Sequence, residues 1–144
     1  MTARTLIATP LTAILACIAA LHAYWALGGQ WGSANAVPTI NNRKVFSPTP
    51  FQTWIVCGFL IAAAIVVAGR AGWLESASAT ILGDIGIWVI AVVFLLRAIG
   101  NFRTFGFAKA ITGTSFAHWD TWLYSPLCLT LSLLSLALAY ATRR

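Results

Sequence analysis

Charge is what this sequence has least of. Only 8% of its 144 residues are charged, three of them acidic, where roughly a quarter is usual in a soluble domain. Because 60% of the residues are hydrophobic, a soluble fold of this length could not cover its apolar surface. Three acids also leave no carboxylate-rich set for a metal ion, and no metal is expected. Cys17, Cys57 and Cys128 each lie deep in a different apolar run, with no CxxC or paired spacing. They are expected to act as small hydrophobes and not as disulfides or ligands. The net charge of +6 does not signal nucleic acid, because the basic residues are scattered in ones and twos and form no stripe along a duplex. Flanking apolar runs, they read as orientation in a bilayer.

What the chain does have is long apolar segments, and the expected fold class is all-α. It is a four-helix transmembrane bundle forming one membrane domain over residues 1–144, with an interfacial loop segment between helices three and four. The first span, 6–27, has 22 residues that would rise about 33 Å and cross the hydrocarbon with little tilt. Pro10 sits in its first turns, and Gly28 and Gly29 end it. Its hydrophobicity continues ten residues past Cys17, which fits neither a cleaved signal nor a lipoprotein signal.

Residues 28–50 read as a loop. Thr49 and Pro50 are suited to cap and open the second span, 50–68. Ser76 is suited to cap the third, 77–99, which carries two ionisable residues, Asp84 and Arg97. Asn101 to Lys109 mixes Phe102, Phe105 and Phe107 with Arg103 and Lys109, a pattern suited to the headgroup layer. The fourth span, 120–141, begins near Asp120 as an N-cap. Pro126 in its second turn should free one or two carbonyls and bend it.

Four spans put both termini and the 69–75 turn on one side and both longer loops on the other, here called the loop face. Both histidines, five of seven tryptophans and two of three tyrosines fall at the loop face, more one-sided than an interfacial belt requires. The candidate ligand-binding residues are His22, Tyr24, Trp25, Arg97, Asn101, His118, Asp120, Trp122 and Tyr124. Arg97 and Asp120 are the expected structural ion pair, since Asp120 is the only acid at that end and an arginine turned inward needs one. Asp84, nearer the other face, is an intramembrane acid that Arg70, Arg143 or Arg144 could neutralise.

Three blocks, HAYWALGG from His22, RAIGNFRTFGFAK from Arg97 and WDTWLYSPL from Trp119, resemble a family of small bacterial four-helix membrane proteins known only as a domain of unknown function. The resemblance covers the whole chain in order and implies fold and location but no activity. It also implies an acid where Asn101 stands. This chain lacks that carboxylate, so no catalytic role is carried over.

The expected function is binding of a lipid or small amphiphile in an aromatic pocket lined by Arg, His and Asp at the loop face. The alternatives are a membrane enzyme using His22 or His118 as acid or base with Asp120 orienting the ring, and an electron carrier with haem b between the two histidines. No cofactor is expected. The bacterial inner membrane is the expected location. Arg4, Arg143 and Arg144 abut their helices while Arg43 and Lys44 lie far from theirs, which favours cytoplasmic termini.

Overall fold

A computed structural model describes residues 2–41, 43–74 and 81–143. The expected cap Ser76 and the start of the third span lie outside them, as does Arg144. The chain is mostly helical. Its elements are α1 (Ala3–Ala26), α2 (Ser33–Ala36), β1 (Thr39–Ile40), β2 (Arg43–Lys44), α3 (Pro50–Ala71), α4 (Ile81–Ile99) and α5 (Ser115–Ala141). By length and composition, α1, α3 and α5 are apolar enough to cross a membrane.

Helix ends follow local chemistry. Gly28, at φ 94°, takes the left-handed turn after α1. The Gly28 and Gly29 amides then donate to Trp25 O and Tyr24 O, satisfying carbonyls the helix leaves open. Thr49 and Gln52 cap α3 reciprocally, side chain to backbone in both directions. The segment expected to be plain loop instead holds α2 and a two-residue antiparallel pair in which Thr39 faces Lys44.

The long helices pack α1 on α3 and α4 on α5, with lighter α3–α4 and α1–α5 contacts closing the set. On α1 the buried stripe is Ala8, Leu11, Leu15 and Ala19, a helical spacing that puts all four on one face. They meet Cys57, Leu60 and Val67 of α3, Ile87 and Ile90 of α4, and Leu131 and Leu138 of α5. Larger apolar side chains such as Phe59, Val93, Leu96 and Leu133 point outward. Large apolar side chains on the outer surface as well as in the core suit a lipid surround, where packing and interhelical hydrogen bonds hold helices together. Two such bonds are Cys57 Sγ to Ala19 O and Ser132 Oγ to Ala91 O, at 3.3 and 2.8 Å.

The last helix does not begin at Asp120. Thr114 caps α5, accepting from the Ala117 amide, and Asp120 lies inside the helix with α-helical torsions. Over Asp120–Tyr124 the helix widens into a π turn, and the Ser125 amide reaches back to Asp120 O. Pro126 has no amide hydrogen, so the ladder must lose a bond there; the wider turn just ahead of it is how the helix accommodates the loss.

Basic residues at the termini end grip the C-terminus of α5. Arg4 Nε donates to Ala141 O and Arg70 Nη2 to Thr142 O, at 3.2 and 2.8 Å, which suits the negative end of a helix. Arg70 is also the partner of Asp84. Asp84 lies in the first described turn of α4 with most of its side chain exposed. Arg143 lies over the rings of Trp88 and Tyr140 instead.

Candidate functional site

The loop-face end of the molecule is organised by the segment joining α4 to α5. Gly100 and Gly106 both have positive φ, 92° and 88°, and their backbones touch. A Cβ on Gly106 would strike Gly100 and Ile99 O, and one on Gly100 would strike Phe105 O. Asn101 Oδ1 accepts from the amides of Arg103, Thr104 and Phe105, closing the tip of the turn. The returning leg caps α4: Phe107 and Ala108 donate to Ala98 O and Ile99 O at 2.8 and 3.1 Å. The segment is therefore a strap folded back onto the helix end. Phe102 and Phe107 remain exposed, but Lys109 turns inward and is buried.

Beneath the strap lies Asp120, with no exposed surface. Its Oδ1 accepts from Arg97 Nη2 at 2.8 Å, and its Oδ2 accepts from the Gly106 amide at 2.7 Å and Lys109 Nζ at 3.0 Å. Lys109 Nζ also donates to Gly106 O and Thr121 Oγ1. One carboxylate thus joins α4, α5 and the strap. A charge buried this far is stable only when paired and hydrogen-bonded.

Arg97 also faces the other way. Its side chain is 31% exposed and lines a cavity of about 720 Å³ between α1, α2, β2 and the start of α3. Its guanidinium carbon lies 4.7 Å from the Phe105 ring centre, a cation–π distance. Its Nη1 is buried with no hydrogen-bond partner among the described residues. His22 and Trp25 line the same cavity from α1, joined by Lys44, Phe46, Gln52 and Val56.

Of the nine residues singled out in the sequence, three meet at this cavity: His22, Trp25 and Arg97. His22 bonds through Nδ1 to Ile18 O at 2.8 Å and packs edge-on against Trp25. Trp25 Nε1 donates to Trp31 O. Tyr24 packs under Gly29, and its hydroxyl accepts from the Trp31 amide at 3.4 Å. Tyr124 donates to Asn35 O, tying α5 to the first loop. Asn101 and Asp120 belong to the strap and its anchor. His118 is exposed beside Trp119, and Trp122 points outward. His118 is not among the residues lining the cavity with His22. Asp120 is bonded to Arg97, Gly106 and Lys109 and to neither histidine.

Lys109, Gly106 and Thr121 were not foreseen from the sequence, and neither was Lys44. The one legible signal was a charge imbalance: a single acid, Asp120, at an end that also holds Arg97, Arg103 and Lys109. Periodicity says nothing about which way a loop lysine turns.

Residues 15–135 match the model of a family described as "Protein of unknown function (DUF3995)". No curated protein and no solved structure matches the chain.

Proposed function

The chain belongs to the DUF3995 family, and we propose that it is a four-span protein of the bacterial inner membrane that binds a lipid or small amphiphile at its loop face. The basic residues abutting α1 and α5 support a cytoplasmic location for both termini. The observation that carries the reading is the position of Arg97, which is held by buried Asp120 on one side and lines the loop-face cavity on the other. The cavity has ligand-sized volume. Its walls combine Trp25, Phe46 and Val56 with His22, Gln52 and Arg97, an apolar body with a few polar groups to orient a head.

Native mass spectrometry of protein extracted from the membrane tests the reading. Wild type should carry a bound lipid-sized species, and the Arg97→Ala, Trp25→Ala double variant should lose most of it. Equal retention by both proteins would remove the cavity as the binding site.

A further inference from the structure

We infer that the ligand of this cavity is an anionic amphiphile, a carboxylate or phosphate head on an apolar chain, and that Arg97 recognises its charge. The inference deepens the binding role proposed above and rests on it. Charge balance carries it. Arg97 and Lys109 are both paired to the single carboxylate of Asp120, so the cluster holds one more cation than it neutralises. The ionisable residues lining the adjacent cavity are His22, Lys44 and Arg97, with no acid among the described lining residues. Of the chain's other acids, Asp84 pairs with Arg70, and Glu75 lies outside the described residues.

An excess positive charge at the edge of a low-dielectric bundle is costly, and an anion beside it lowers that cost. Arg97 also keeps one donor unsatisfied: Nη1 is buried and has no partner among the described residues, while Nη2 stays on Asp120. A planar guanidinium anchored at one nitrogen is well suited to an oxyanion. A cationic head would instead meet Lys44 and Arg97 together. The apolar walls at Trp25, Phe46 and Val56 provide for a chain, which separates this ligand from a free inorganic anion.

The test uses the full chain in phosphatidylcholine nanodiscs, titrated calorimetrically with dodecyl phosphate, dodecyl glucoside, dodecyltrimethylammonium and inorganic phosphate. Empty nanodiscs correct for partitioning. Dodecyl phosphate should bind saturably and at least about tenfold tighter than the other three probes, the worth of one charge-assisted hydrogen bond. Arg97→Gln should cut the preference for dodecyl phosphate to the roughly two- to threefold that Lys44 alone supplies. Lys44→Gln, in the exposed hairpin, should weaken dodecyl phosphate by roughly two- to threefold, as a more exposed charge does.

Equal affinity for the three dodecyl heads in wild type would overturn the anionic assignment while leaving amphiphile binding intact. So would tenfold selectivity that survives in Arg97→Gln. Inorganic phosphate binding as tightly as dodecyl phosphate would overturn the apolar chain. Absence of saturable binding by every dodecyl probe would overturn both this inference and the reading beneath it. Should Arg97→Gln fail to fold, the head-group comparison in wild type and the Lys44→Gln response decide.

Discussion

Replacing Asp120 by asparagine keeps the size of the side chain and removes its charge, leaving two cations in the cluster without a counter-ion. Lys109, whose side chain is 3% exposed, cannot recover hydration without opening the strap. Breaking a buried pair from one side typically costs about 3 to 5 kcal/mol, and Asp120→Asn should fall in that range. Lys109→Met is milder, because Asp120 keeps Arg97 and the Gly106 amide; the loss of charged hydrogen bonds puts it at about 1 to 3 kcal/mol. In the double variant the buried ammonium is gone along with the carboxylate, so its loss should fall short of the summed single losses by about 1 to 3 kcal/mol. Equilibrium unfolding by SDS in mixed micelles measures all three. The reasoning is refuted if Asp120→Asn costs no more than Lys109→Met, or if the single losses add.

Two further outcomes follow from the same end of the molecule and from the basic residues. Gly106→Ala and Gly100→Ala should each destabilise by more than about 2 kcal/mol, because positive φ alone costs a residue with a Cβ about 1 to 2 kcal/mol and both added carbons meet backbone. Gly113→Ala, with open space around it, should stay within about 0.5 kcal/mol of wild type in the same assay. A cytoplasm-active reporter fused to the C-terminus should be active and a periplasm-active one silent. The reverse pattern would invert the proposed topology.

Helix placement was readable because it depends on local quantities. Runs of apolar residues, Thr49 before Pro50, and Gly28 after α1 act within a few residues of themselves, and the helices there begin and end accordingly. The start of α5 was misread because Asp120 has cap chemistry and Thr114 has it too. Only the partner decides, and Asp120 is drawn into the helix by Arg97, Lys109 and the Gly106 amide. The path of the strap was not legible for a related reason. Aromatic and basic residues suit a headgroup layer, yet the Gly100–Gly106 contact folds the segment onto α4 and carries Lys109 to the carboxylate.

Composition and periodicity alone were enough to establish a mostly helical chain with membrane-span-like segments, because burial of apolar surface is summed over many residues and survives errors at any one. They also placed His22, Trp25, Arg97 and Asp120 at one end, because chain direction alternates with each long helix. Which of these residues face each other depends on helix rotation and on loop paths, set by contacts between residues far apart in sequence. The tertiary structure therefore decided that Arg97 is shared between Asp120 and a cavity, that His118 lies outside that cavity, and that a loop lysine completes the buried cluster. In a low-dielectric interior a charge is stable only beside its partner, and that pairing exists only once the helices have packed.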